Sequence, residues 1–112
     1  MDPFNAVTRG LVTDGVTAKA GGGQAGTLIT THITKVTTVA SAGDSLLLPA
    51  GSPGIEAEVL NGTGTSLNVF PQVGGLIDNG SPNAAVAIPG NKMRVFRCAS
   101  ANPDKWHSNL TA

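Results

Sequence analysis

The sequence predicts an all-β fold, an antiparallel sandwich or barrel of meander or jelly-roll type with an extended N-terminal arm, and three observations predict it. From residue 54 to residue 98 the chain is a succession of four short apolar runs, each closed by Gly, Asn, Asp or Pro. Fifteen Gly and seven Pro in 112 residues require many turns and suit short strands better than helices. Residues 27–40, TLITTHITKVTTVA, are dense in the β-branched residues that fit a pleated surface.

Residues 1–26 show neither a helical nor a strand period, and Gly21, Gly22 and Gly23 interrupt any regular element. This segment is expected to be an extended arm. Its Val7, Leu11, Val12 and Val16 are too apolar for a solvated tail, so part of it should lie against the body, a neighbouring subunit or a partner. With those residues removed up to 20, the body is expected to remain folded.

The body, residues 27–112, opens with a strand over 27–40 that has a break near Thr34. A turn at 42–44 leads into 45–49, expected to pair with 36–39. Ile55, Ala57 and Val59 alternate with Glu56 and Glu58, the period of a strand with one buried face. The loop Asn61-Gly62-Thr63-Gly64 and the alternation of Leu67 and Val69 with Ser66 and Asn68 predict an antiparallel hairpin. Pro71 ends it. After a turn at 77–80, residues 85–88 and 93–98 form a second expected pair, and the turn 102–104 precedes a last strand over 105–110. Leu60 and Phe70 fall on the nominally wet face of the first hairpin, which predicts a second buried surface and therefore a subunit interface.

The chain is one domain by length. Seven Lys and Arg balance seven Asp and Glu, leaving no electrostatic footprint for nucleic acid or an anionic membrane. Charged residues are 12% of the chain, against roughly 25% in an ordinary domain. Such a surface tends to associate, so a homo-oligomer is expected. The single Cys98 excludes an intrachain disulfide and a multi-Cys zinc site, and points to synthesis in a reducing compartment. The N-terminal stretch has no basic and apolar signal pattern, and no apolar run approaches the ~20 residues of a membrane span. The sequons at Asn61 and Asn109 read as chance.

Glu56 and Glu58 share a face about 6.5 to 7 Å apart along the strand, a carboxylate spacing met in glycosidases. Neighbours on one strand cannot flank a bond from opposite sides, and a solvated face explains them. His32 and His107 each stand apart from Asp, Glu and Cys in sequence, so structural roles are expected, although a symmetric oligomer can gather several copies of His32 around an ion. Cys98 ends an apolar strand and reads as a buried thiol. Asp78-Asn79-Gly80 lacks the other ligands of a cation loop and reads as a turn. Residues 21–26 lack the Gly-Lys-Ser/Thr of a phosphate loop. Trp106 is expected in the core or an interface. No catalytic, cofactor or metal site is expected, and the chain is read as a non-enzyme.

The runs VTTVASAGDSLLLPA (36–50), EVLNG (58–62), SLNVFP (66–71), GGLIDNG (74–80), the Ala and Pro-Gly stretch after them, and KWHS (105–108) resemble small virion structural proteins of tailed bacteriophages. The resemblance spans 27–110, and the order of residues 75–80 departs from the family's Gly-Asp-x-Ile-Asn-Gly turn. It implies a head decoration, or cement, protein that binds the major capsid protein on the capsid exterior as a homotrimer after synthesis in the host cytoplasm. No nucleic acid or membrane partner is implied. A tail or fibre-associated receptor- or carbohydrate-binding module is the alternative, and it would need Trp106 exposed in a groove. A hydrolase would need both His residues beside carboxylates.

Overall fold

The computed structural model describes residues 11–21 and 23–111. Ten strands carry its regular structure: β1 (Val12–Thr17), β2 (Thr27–Leu28), β3 (Ile33–Thr38), β4 (Ser45–Leu47), β5 (Glu56–Asn61), β6 (Leu67–Phe70), β7 (Leu76–Ile77), β8 (Val86–Ile88), β9 (Met93–Ser100) and β10 (Lys105–Leu110). One 3-10 turn, Gly23–Ala25, accompanies them, and no α-helix occurs among the described residues. The chain is all-β, as its turn-rich, β-branched sequence predicts.

The strands form two mixed sheets, one ordered β1-β3-β5-β9-β10-β7 and the other β2-β4-β6-β8. From β1 to β9 every link carries the chain from one sheet to the other, and only β9 and β10 are consecutive strands of the same sheet. Up to β9, odd strands therefore fall in the larger sheet and even strands in the smaller. β1, β3 and β5 run parallel in one sheet, while β2, β4 and β6 run parallel in the other. Three turns of a coil result, with Val12, Ile33 and Glu58 in one row and Leu28, Leu47 and Phe70 in another. Antiparallel pairing closes the coil, β9 against β5, β10 against β9 and β8 against β6, and β7 adds to β10 in parallel.

This pairing corrects the expected meander. Segments 55–59 and 67–69 are not a hairpin, because β5 and β6 belong to different sheets. The same holds for 36–39 with 45–49 and for 85–88 with 93–98. The physical reason is that each strand has one apolar row. Strands that face each other across a shared core bury both rows directly, and a short link suffices to join them.

β1 also corrects the arm. Residues 12–17 are a strand paired with β3, Val16 packs against the core, and Ala18 is buried. Lys19 and Ser45 then exchange backbone hydrogen bonds of 3.0 Å in both directions. Gly26 lies so close to β4 that a Cβ there would sit 2.5 Å from Ser45 Oγ and 2.8 Å from its carbonyl oxygen. Removing the first 20 residues would thus strip β3 of one of its two parallel partners, leaving only β5. Residues 1–10, with Val7, lie outside the described residues.

Inner rows of both sheets enter one apolar cluster, with Val36, Val59, Phe96 and Trp106 from the larger sheet and Leu46, Leu67, Val69 and Ile88 from the smaller. Burial alternates along β5, where Ala57, Val59 and Asn61 are buried and Glu56, Glu58 and Leu60 are half-buried. Asn61 ends this strand as a polar clasp. Its Nδ2 donates to the carbonyls of Thr65 at 2.8 Å, Ile88 at 3.0 Å and Pro89 at 3.3 Å, and its Oδ1 accepts from the Thr63 amide and hydroxyl. The clasp joins the end of β5 to the end of β8, across the two sheets. Asn61→Ala is expected to lower stability by about 2–4 kcal/mol, because buried carbonyls lose their donor. Urea denaturation would show a lower midpoint at unchanged slope, and an unchanged midpoint would refute the role.

Candidate functional site on the outer face of the six-stranded sheet

The pleat that turns Ala57 and Val59 into the core turns Glu56, Glu58 and Leu60 the other way. Register then assembles rows across the sheet. Val12, Ile33, Glu58, Val95 and Asn109 make one row; Glu56, Arg97 and His107 flank it on one side, and Lys35, Leu60 and Met93 on the other. Lys35, Arg97, His107 and Asn109 are exposed, and Val12 is 55% exposed. The face mixes apolar and charged groups and is open to solvent at its margins. Leu60 and Met93 also line a shallow groove with Lys35 and Lys92.

Four charged or titratable side chains meet at one end of this face. His32 precedes β3, and its carbonyl accepts the Glu58 amide at 2.7 Å, which holds it beside β5. Its Nε2 lies 3.1 Å from Glu56 Oε1 and 4.0 Å from Glu58 Oε1. The other carboxylate oxygen of Glu56, Oε2, accepts from Arg97 Nε at 3.2 Å and from its terminal Nη2. Arg97 is the direct cross-strand neighbour of Glu56. The hydrogen bond from Arg97, supplemented by that from His32, outweighs the cost of burial and holds the Glu56 carboxyl below its ordinary value of 4.5. Side-chain exposure is only 10% for His32 and 17% for Glu56. The ligating atoms of His32, Glu56 and Glu58 all lie within 4.8 Å of one another.

A second polar cluster, at Asp78, is a structural tie. Asp78 accepts the Ser108 amide at 2.7 Å and its hydroxyl, and receives Arg94 Nη2 at 3.3 Å, while Arg94 Nε donates to Ser108 Oγ at 2.8 Å. Burial opposes ionisation of Asp78, but the Ser108 and Arg94 bonds outweigh it and leave its carboxyl below the usual value. As expected, 78–80 is a turn; both Asp78 and Asn79 have positive φ, 55° and 59°.

The expected interface residues do not form one surface. Val12 and Leu60 point outward on the six-stranded sheet, with Leu11, 44% exposed, adjoining Val12. Phe70 is half-buried on the four-stranded sheet, beside Leu47 in the ladder. Val16 turns inward against the core. The idea of Leu60 and Phe70 on one hairpin face is therefore corrected, since the two residues occupy different sheets. Cys98 is buried, and desolvation, reinforced by Asp104, raises its thiol pKa. Trp106 is 1% exposed and belongs to the core. Sequence reasoning kept His32 apart from the Glu56 and Glu58 pair and did not single out Arg97. No short-range signal joins residues 32, 56 and 97, which only the β3-β5-β9 pairing brings together.

No protein-family model and no curated protein matches the chain.

Arg97→Ala is expected to lower stability near neutral pH by about 0.5–1 kcal/mol, the value of a largely exposed ion pair. Because Glu56 has a depressed folded-state pKa, its contribution is present above the unfolded value of 4.5 and disappears as pH falls through the folded value. The difference between the parent chain and Arg97→Ala should therefore shrink in acid. Denaturation midpoints measured across that range would check it, and a constant difference would show that Arg97 acts by packing alone.

Proposed function

We propose that this chain is a head decoration protein of a tailed bacteriophage, bound as a homotrimer to the major capsid protein on the outside of the mature shell. The observation that carries this reading is the resemblance over 27–110, in the runs at 36–50, 58–62, 66–71, 74–80 and 105–108. The geometry is compatible with it. This reading takes the two sheets as the layers of a β-sandwich. A trimeric clamp needs two contact surfaces, one for its own copies and one for the lattice, and the fold offers outward apolar groups on both sheets. Phe70 and Leu47 on the smaller sheet are assigned to the subunit contact. Leu11, Val12 and Leu60 on the larger sheet, with the preceding residues that include Val7, are assigned to the capsid.

Such a clamp works by differential affinity. A protein that binds the mature lattice and not its precursor stabilises the mature state by mass action. Three linked copies raise the effective concentration of each further contact. Matching a local three-fold axis lets every subunit make the same contact. Burial of Trp106 removes the aromatic platform that a carbohydrate-binding module would use, so this second reading gains no support.

The test is co-sedimentation of the purified protein with expanded and unexpanded empty capsids, together with light scattering of the protein alone. Trimers that bind expanded shells selectively are expected. Val12→Asp should weaken capsid binding about tenfold or more with the trimer intact, and Phe70→Asp should dissociate the trimer. A monomer that ignores both kinds of capsid would overturn the proposal.

A further inference from the structure

We propose that His32, Glu56 and Glu58 form a binding site for a divalent transition-metal ion of the zinc class, on the outer face of the six-stranded sheet. The site is independent of the virion reading, since it belongs to a single isolated chain. Three observations point to it. The donor atoms already converge: His32 Nε2 is 3.1 Å from Glu56 Oε1 and 4.0 Å from Glu58 Oε1, and all three lie within 4.8 Å. Metal–ligand bonds of about 2.0–2.2 Å in a tetrahedral shell place neighbouring donors about 3.3–3.5 Å apart. The two His32 distances bracket that value, and the Glu56–Glu58 separation, bounded at 4.8 Å, closes by the two carboxylates drawing together on the ion.

Backbone pairing positions the donors independently of any ion. Glu56 and Glu58 are alternate residues of β5, and the Glu58 amide bonds the His32 carbonyl at 2.7 Å. Arg97 supplies the outer support. It holds Glu56 Oε2 and leaves Oε1 directed at His32, the arrangement by which a neighbouring group orients a ligating carboxylate. Two carboxylates converge on the site with the guanidinium at its edge, an arrangement that suits a cation. The imidazole donor selects zinc, cobalt or nickel over calcium and magnesium, which prefer oxygen alone. Three protein ligands leave at least one coordination position for solvent or an incoming group.

The experiment is calorimetric titration of the full chain with zinc chloride, in parallel with thermal unfolding with and without zinc. One zinc per chain at micromolar affinity and a raised Tm are expected, with calcium and magnesium producing neither. Glu58→Gln keeps the size of the side chain and His32→Ala removes the nitrogen donor; each should weaken binding at least about tenfold and abolish the Tm rise. Circular dichroism of the metal-free variants would establish that they fold. His107→Ala, which alters the other histidine on this face, should bind zinc like the parent. Absence of binding at millimolar zinc, undiminished binding in folded His32→Ala, or its loss in His107→Ala would each overturn the assignment.

Discussion

Consecutive strands from β1 to β9 belong to different sheets, so each link must carry the chain from one sheet to the other. The remaining features depend on this crossing. Through its first six strands the chain winds in one sense, so each strand lies parallel to the one before it in the same sheet, whereas β8 and β9 return antiparallel. Hence β1, β3 and β5 are parallel, as are β2, β4 and β6. Parallel neighbours some twenty residues apart must both be in place before either is stabilised, and loop closure precedes any gain from pairing. Cohesion therefore resides in the shared core and in the late antiparallel strands β8, β9 and β10, which close both sheets.

Close backbone approaches and polar ties hold the crossings. A Cβ on Gly90 would lie 2.6 Å from the carbonyl carbon of Gly64, so the link after β8 packs directly on the link after β5. Asn61 satisfies carbonyls of both links in the same region. At the rim, Asp78 and Arg94 bind Ser108, joining the link after β7 to β9 and β10. Asn61 in particular supplies donors to backbone acceptors where β5 and β8 end. The tips of several links, at 40–43, 52–54 and 78–84, are exposed, so these ties act where the links leave the sheets.

Several elements were legible in the sequence, though β1 and β7 were not, and neither were the strand partners. Alternation along 55–59 correctly assigned Ala57 and Val59 to the interior, and the stretches at 45–49, 67–69 and 105–110 correspond to β4, β6 and β10. A turn signal such as Asn61-Gly62-Thr63-Gly64 states that the chain reverses; it does not state whether the next strand lies beside the last or opposite it. β1 escaped notice because Gly15, at φ 73°, coincides with a register shift between Thr13 and Val16 that breaks the period of two. The site was half legible. Glu56 and Glu58 share a face by local geometry alone, whereas His32 and Arg97 reach them only through pairings 24 and 41 residues apart in sequence.

The placement of charge follows from the same geometry. In a chain with few charged residues, two glutamates on one strand would repel on a low-dielectric sheet face unless cations or donors met them. His32 from the preceding coil turn and Arg97 from the closing strand supply those groups from either side of β5. The result still carries more carboxylate than cation. A bound divalent ion would add positive charge to this cluster. Glu58 stands in the row of Val12, Ile33 and Val95, so that added charge would act on whatever surface the face meets. Attraction to a surface of one sign and repulsion from another would then be shifted by a single ion per chain, without any change in fold.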